Sequence, residues 1–368
     1  ICTAPAFIPS QGQLSHRNIV VNGDMRIAQR ATTSTGVSGY NTIDRMQGNS
    51  GGTDEAPTQA QVDVASGTTP YTLGFRKAFR FTNGNQTSGA GSGDYVHLKM
   101  VLEAQDIANS GWNYKSSSGF ITLSFWVKSS VAQDFSVTLR TEDGTRQVYN
   151  MTTGSLSADT WTKITKTIPG DSTVTVDNDN ANGFQISFYQ YLGTNYTQAS
   201  GYTENAWGAY QNPQTPVQTS TWYDTNDATY ELTGVQLEVG SQATAFEHRS
   251  YNEELRLCER YCEIILQGES DGAYMNNAVA YANNQLYSII RFRTPKRATN
   301  PTLVHSTGSG YYVVYTAGSS NTATGFTAAN WQNTHGSAIY NSMTCTSGDA
   351  GLLGSSNSNA LLLFTSEL

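Results

Sequence analysis

Pairs of acidic side chains are the first place to look for chemistry in this chain. Asp177/Asp179, Asp224/Asp227 and Glu253/Glu254 each put two carboxylates within a few residues. Glycoside hydrolysis needs two such groups about 5–9.5 Å apart across a cleft. Close neighbours in sequence usually share a solvated turn instead, so these pairs read as turns. Five histidines are present, but no Gly-x-Ser-x-Gly elbow leads into a helix. His248 lies between Glu247 and Arg249. Its expected role is structural, with the imidazole and the guanidinium bonding carbonyls at a strand-to-helix corner. Cys2, Cys258, Cys262 and Cys345 form no CxxC pair and have no histidines beside them. Zinc takes four ligands, so small buried apolar residues are the expectation. Asp177-Asn178-Asp179-Asn180 alternates oxygens without the rest of an EF-hand loop. No catalytic residue, metal or cofactor is assigned.

Aromatic rings among amides are better supported. Between Gly193 and Asp227 lie Tyr196, Tyr202, Trp207, Tyr210, Trp222 and Tyr223, without a strand period. A loop this long is usually functional or disordered, and disordered segments avoid aromatics. Order against something is expected. Sugar C–H faces stack on such rings while Asn, Asp and Gln fork to hydroxyl pairs, which makes Trp207, Tyr210, Trp222 and Tyr223 candidate carbohydrate-binding residues. The competing reading packs them at a subunit boundary, where Tyr and Trp are preferred anchors.

The elements that must hold these residues read as β-structure. Only 14% of the 368 residues are charged, and Gly, Ser, Thr and Asn are abundant. Ser, Thr and Asn compete with a helix backbone for its hydrogen bonds, so this is poor material for a helical enzyme. Ile121, Leu123, Phe125 and Val127 alternate with polar partners, as do Phe135, Val137 and Leu139, then Phe184, Ile186 and Phe188, then Val235, Leu237 and Val239. Turn signals such as Glu142-Asp143-Gly144 and Pro169-Gly170-Asp171 separate them. Two sheets with such inward faces make a sandwich. The net charge of −8 and the lack of a basic run argue against nucleic acid. No apolar run reaches the roughly 18–20 residues that span a bilayer.

One helix is predicted. Ser250 and Glu253 form a capping box. Tyr251, Leu255, Cys258, Cys262 and Ile265 then step by 4, 3, 4, 3, beside a second stripe of Leu257, Tyr261 and Ile264. This wide stripe is expected to bury one side in its own domain and the other at an oligomer interface, with Glu259 on the outer face. After Gln267 strands resume near Leu286–Phe292, Tyr311–Tyr315 and Ala360–Phe364.

Two runs resemble a family of tailed-bacteriophage structural proteins, fibre-like or tail-associated. They are Asn18-Ile19-Val20-Val21-Asn22-Gly23-Asp24-Met25 and Thr233-Gly234-Val235-Gln236-Leu237-Glu238-Val239-Gly240-Ser241, the latter continuing through Ala245-Phe246-Glu247-His248-Arg249-Ser250. In that family a jelly-roll sandwich opens with the first element and closes with the second. The resemblance covers roughly residues 16–266 closely and the remainder loosely. With the patterning it gives an extended arm or the end of an upstream region at 1–17, a jelly-roll β-sandwich at 18–249, a helix or linker at 250–267 and a C-terminal β domain at 268–368, and the resemblance implies that the first and last strands of the sandwich lie side by side. Carbohydrate-binding jelly rolls of similar terminal elements hold calcium with acidic residues in the last strand, where Thr233-Gly234 stand here. The expected protein is a homotrimer in the virion that touches other phage proteins and a host surface glycan, without catalysis. It begins Ile-Cys-Thr with no visible signal peptide, as a trimmed chain released by lysis would. Alternatives are the carbohydrate-binding portion of a polysaccharide-degrading enzyme and a capsid-surface decoration protein.

Overall fold

The computed structural model describes residues 15–368 apart from 37, 198–202, 212–214, 269–273, 309, 317 and 318. The fold is mainly β, 44% strand against 7% helix, in antiparallel sheets. One compact unit ends at Arg249 and a second comprises Ser250–Glu367. Of the expected arm, residues 1–14, Cys2 among them, lie outside the described residues.

The first unit is a sandwich of two six-stranded sheets. In spatial order, sheet I is Thr33–Thr35, Thr58–Asp63, Lys77–Thr82, Thr229–Val239, Phe120–Ser129 and Thr162–Pro169. Sheet II is Trp207–Ala209, Gln147–Thr152, Ser136–Thr141, Asn182–Leu192, Tyr95–Glu103 and Gln47–Gly51. The period-two sets meet between them: Ile121, Leu123, Phe125 and Leu237 face Leu98, Leu139, Ile186 and Phe188 in one core. Phe125 and Phe188 meet edge to face at 5.0 Å.

The sandwich closes as the family resemblance implies, but the opening element is no strand. Asn22 and Met25 adopt positive φ, so Asn18–Ile27 runs as turns. It still lies along the closing strand. Ile19 N donates to Leu237 O at 2.9 Å and Val235 N to Gly23 O at 2.9 Å. The Asn18 side chain gives Nδ2–H to Val235 O and accepts Leu237 N–H, both at 3.1 Å. Gly234, at φ +64, forms a bulge between Thr233 and Gln236. Gln236 and Glu238 then bind the chain that follows, accepting from Glu247 N and Thr244 N at 2.8 Å. Arg249 donates to Val20 O at 3.2 Å and to Asn18 O, and His248 Nε2 lies 2.9 Å from Leu73 O. The residues that carry the resemblance therefore build the seam of the sandwich.

The second unit opens with the helix Tyr251–Glu259, capped by Ser250 Oγ accepting from Glu253 N at 3.2 Å. It is shorter than expected. Cys262–Gln267 is a strand paired with Leu361–Thr365, so Cys262 is not on the helix and Ile265 is the extra residue of a bulge. The run Cys262-Glu263-Ile264-Ile265-Leu266 fits either period; pairing with the C-terminal strand decided it. Residues 250–267 thus belong to the second unit rather than linking to it. Cys258 and Cys262 are fully buried within that unit and cannot form an oligomer interface, whereas Tyr251 is exposed and Leu255 half-buried. Glu259, expected outside, is buried. Its carboxylate holds Arg293 Nη1 at 3.1 Å and Thr294 Oγ1 at 3.3 Å.

A three-stranded sheet III (Cys262–Gln267, Leu361–Thr365, Thr302–His305) packs over a seven-stranded sheet IV (Ser319–Ala323, Tyr312–Thr316, Ala350–Ser355, Tyr274–Ala282, Gln285–Arg291, Gly336–Ser342, Thr327–Asn333). Leu266, Leu362 and Phe364 of sheet III share a core with Leu286, Ile290, Val314 and Leu353 of sheet IV.

Candidate functional site

The same alternation that points Leu98, Leu139, Ile186 and Phe188 inward points a set of polar side chains out of sheet II. Register places Asn49, His97, Tyr189, Ser136 and Thr152 in one row, and Gln47, Lys99, Ser187, Thr138 and Asn150 in the next. Gln185 and Arg140 stand side by side in the row after that. Polar rows on a sandwich surface normally face water. Here Thr138, Asn150, Gln185, Ser187 and Tyr189 are each 5% exposed or less. Part of the cover comes from the 193–227 segment: Tyr196 packs edge-on against Tyr95 at 5.8 Å, and Glu204 accepts from Thr152 Oγ1 at 3.0 Å.

Within this face some groups satisfy each other. Arg140 donates to Gln185 Oε1 at 2.7 Å and to Glu142 Oε1 at 2.6 Å, and its guanidinium lies 4.7 Å over the Tyr210 ring. Tyr189 and Thr138 hydroxyls are 3.3 Å apart. Others are left over. His97 Nδ1, Gln47 Oε1 and Asn150 Oδ1 are buried with no hydrogen-bond partner among the described residues. Each such atom costs about 1–3 kcal/mol. Three such atoms, two of them amide oxygens that only accept, lie on this one face. Burial, with Lys99 and Arg140 nearby, pushes His97 down to about 3, so the ring is neutral at ordinary pH. Burial and Arg140 also hold Lys99 below the usual lysine range, against the opposing pull of Glu142.

Only one of the four aromatic candidates sits on this face. Tyr210 does, against Arg140. Trp207 pairs with Tyr149 on the inward row of the edge strand. Its indole N–H donates to Pro169 O at 2.6 Å and its half-buried ring meets Tyr149 and Phe184 edge-on, on the row opposite the polar face. Trp222 and Tyr223 are 0% and 1% exposed, in the core, and cannot stack on a glycan. Tyr223 stacks on Tyr191 at 4.5 Å and donates to Asp94 Oδ2 at 3.0 Å. The short helix Thr221–Asp224 turns both rings inward. Tyr202 lies outside the described residues. The carboxylate pair Asp177/Asp179 lies on an exposed loop, and Asp224, at the end of the helix Thr221–Asp224, and Asp227 beyond it are exposed as well. Among the described residues no three His, Cys, Asp or Glu side chains gather as a metal would require.

What sequence reasoning missed was legible as the complement of what it found. Once Val137 and Leu139 are inward, Thr138 and Arg140 must point the other way; His97, Lys99, Gln185, Ser187 and Tyr189 follow alike.

Comparison with solved structures finds partial likenesses. The enzymatically active domain of tailspike protein 4 of bacteriophage CBA120 matches over 61% of this chain at 10% identity and TM-score 0.31, and the matched part spans 21% of that chain. A CBM4 module matches over 60% of this chain and 98% of its own, at 13% identity and TM-score 0.29. The family 11 carbohydrate-binding module of Clostridium thermocellum, solved with a mixed-linked tetrasaccharide, matches over 59% and 99%, at 14% identity and TM-score 0.25. No protein-family model and no curated protein matches the sequence.

Proposed function

We propose that this chain is a fibre-type virion protein of a tailed phage, tail fibre or tail-associated, whose first unit holds a host-surface glycan on the outward face of sheet II without catalysis. The observation that carries the glycan reading is the set of buried polar atoms on that face, His97 Nδ1, Gln47 Oε1 and Asn150 Oδ1, that have no partner among the described residues. Saccharide hydroxyls donate and accept at once, so they suit such a mixed set. Lys99, Arg140 and Gln185 add fixed donors, and the Tyr95 and Tyr210 rings add apolar flanks. The phage reading is supported by the seam motifs from Asn18 to Met25 and Thr233 to Ser250. Its homotrimer rests on that resemblance alone, because Cys258, Cys262 and Ile265 do not form the expected stripe. Light scattering at three times 39.9 kDa would support it, and a monomer would remove it.

The test is titration of the full chain against a panel of neutral and acidic polysaccharides. Asn150→Ala deletes an amide oxygen that has no partner among the described residues, so it should leave the melting temperature unchanged or raised while weakening binding about tenfold, a loss of about 1.4 kcal/mol. Lys99→Met should also weaken it. Unchanged binding in both variants would remove sheet II from the reading. Cleavage of a panel member by the purified chain would favour the polysaccharide-degrading alternative.

A further inference from the structure

The second unit carries an aromatic face that the sheet II reading does not use. Sheet IV buries one side against sheet III; on the other, Val279, Tyr281, Ile289, Tyr315, Trp331 and Leu352 are each 41–67% exposed. The alternation is clean from Asn277 to Tyr281, where Ala278 and Ala280 are buried while Asn277, Val279 and Tyr281 face out. An apolar set of this size on an isolated surface marks a binding site rather than chance.

Two features define what it binds. The first is a ladder of rings. Trp331 stacks on Tyr287 at 5.6 Å and 29°, Tyr287 on Tyr340 at 5.2 Å and 22°, and Tyr281 meets both Trp331 and Tyr287 edge-on. Trp331 is 59% exposed although one side of its ring is committed to Tyr287. The second is an open trough of about 700 Å³ that shares Tyr287 with the ladder and runs past Asn276, Asn277, Val279, Tyr315 and Leu352. That volume lies within the roughly 300–1,000 Å³ of small-ligand sites. None of the described lining residues is charged. The strands around it are nearly free of charge as well: Tyr274–Arg291 contains only Arg291, and Tyr311–Ser355 only Asp349.

We infer that this face is a second saccharide site, taking a neutral glycan chain whose apolar sugar faces lie on the Trp331–Tyr287 ladder while its hydroxyls meet Asn277 and the tyrosine hydroxyls along the trough. The absence of charge among the described lining residues selects a neutral chain over an acidic one, because a carboxylated or sulfated sugar would be desolvated there without a counter-ion. Rings with exposed faces beside amides match a pyranose. A second protein chain would be expected to present and meet charge or arginine at its rim. Two weak sites on one chain raise avidity through effective concentration.

Trp331 is the sole tryptophan after residue 222, so it reports on this face. Full-length protein is titrated with soluble neutral β-glucan, xylan and mannan, and with alginate as the acidic probe. Tryptophan fluorescence is followed in wild type, Trp331→Phe and a Lys99→Met variant of the first unit. At least one neutral polymer should shift the Trp331 contribution, and the shift should persist in Lys99→Met. Trp331→Ala, with an unchanged melting temperature, should weaken binding of that polymer about tenfold when followed by calorimetric titration. The inference is overturned if no neutral polymer moves the Trp331 signal. It is equally overturned if alginate alone does, or if Trp331→Ala converts a larger assembly to monomer in sedimentation without altering saccharide binding. In that last outcome the face joins copies of this chain.

Discussion

Gly23 and Val235 meet backbone to backbone: Val235 N donates to Gly23 O at 2.9 Å, and a Cβ at position 23 would lie 2.0 Å from Val235 O. The opening Asn-Gly-Asp and the closing Gly-Val-Gln-Leu-Glu therefore belong together because one needs a residue without a side chain where the other passes. Gly23→Ala should force the seam apart and lower stability by about 1–3 kcal/mol, as overpacking does. Gly208→Ala, with nothing within 4 Å of the new methyl, should change it by less than about 0.5 kcal/mol. Urea unfolding of the two variants checks both.

Burial of the aromatic pair Trp222 and Tyr223 reverses the effect a glycan site would predict. Trp222→Ala should cost about 3–5 kcal/mol as a core truncation. Its backbone is also held, Trp222 N donating to Gln133 Oε1 at 2.8 Å and Tyr223 O accepting from Asn83 Nδ2 at 2.6 Å. Tyr210→Ala, half-buried over Arg140, should spare the melting temperature and reduce polysaccharide binding instead. Melting curves beside binding titrations separate the two.

Acid should weaken the first unit through His97. Its folded value of about 3 lies below the ordinary 6.5, so the fold prefers the neutral ring. As pH falls below 6.5 the unfolded chain takes up a proton that the fold refuses. Stability then declines by up to about 1.4 kcal/mol per pH unit until the folded value is reached. Denaturation at pH 7 and pH 4.5 should show a smaller acid loss in His97→Gln than in wild type; equal losses would mean the ring is not held neutral.

In the second unit Lys296 is buried with Glu263, to which its ammonium donates as well as to Glu259 O. Burial lowers the lysine below its usual range while Glu263 pulls it back up. Removing one charge strands the other, so Lys296→Met should lose about 3–5 kcal/mol. Glu259→Ala, which frees Arg293 and Thr294 from a buried carboxylate, should lose about 1–3 kcal/mol. Tyr251→Ser, at a 55% exposed position, should change little. Circular dichroism melts of the three variants give the ranking.

Much of the first unit was legible because burial on one face of a strand leaves a period of two. Ile121 through Val127, Val137 and Leu139, and Phe184 through Phe188 stand where that period puts them. Ser250 and Glu253 marked the helix start, since an orphan N–H needs an acceptor at a fixed offset. The helix end was not legible. Cys262 through Leu266 fits both periods, and only pairing with Leu361–Thr365, about a hundred residues away, made it a strand.

The aromatic segment 193–227 shows the same division. Its composition pointed to burial of rings, because Trp and Tyr carry large apolar areas, and Trp222 and Tyr223 are buried. Which ring went inward was decided by contacts distant in sequence: Asn83 and Gln133 on Trp222 and Tyr223, Pro169 on Trp207, Arg140 on Tyr210. The outward rows of sheet II were fixed in direction by strand alternation alone. That Thr138, Asn150 and Ser187 would be buried there, with Asn150 Oδ1 and His97 Nδ1 partnerless among the described residues, depended on five strands from across about 140 residues lying in one register. Alternation is a local property of the backbone. Burial of its polar side is a property of what the rest of the chain brings beside it.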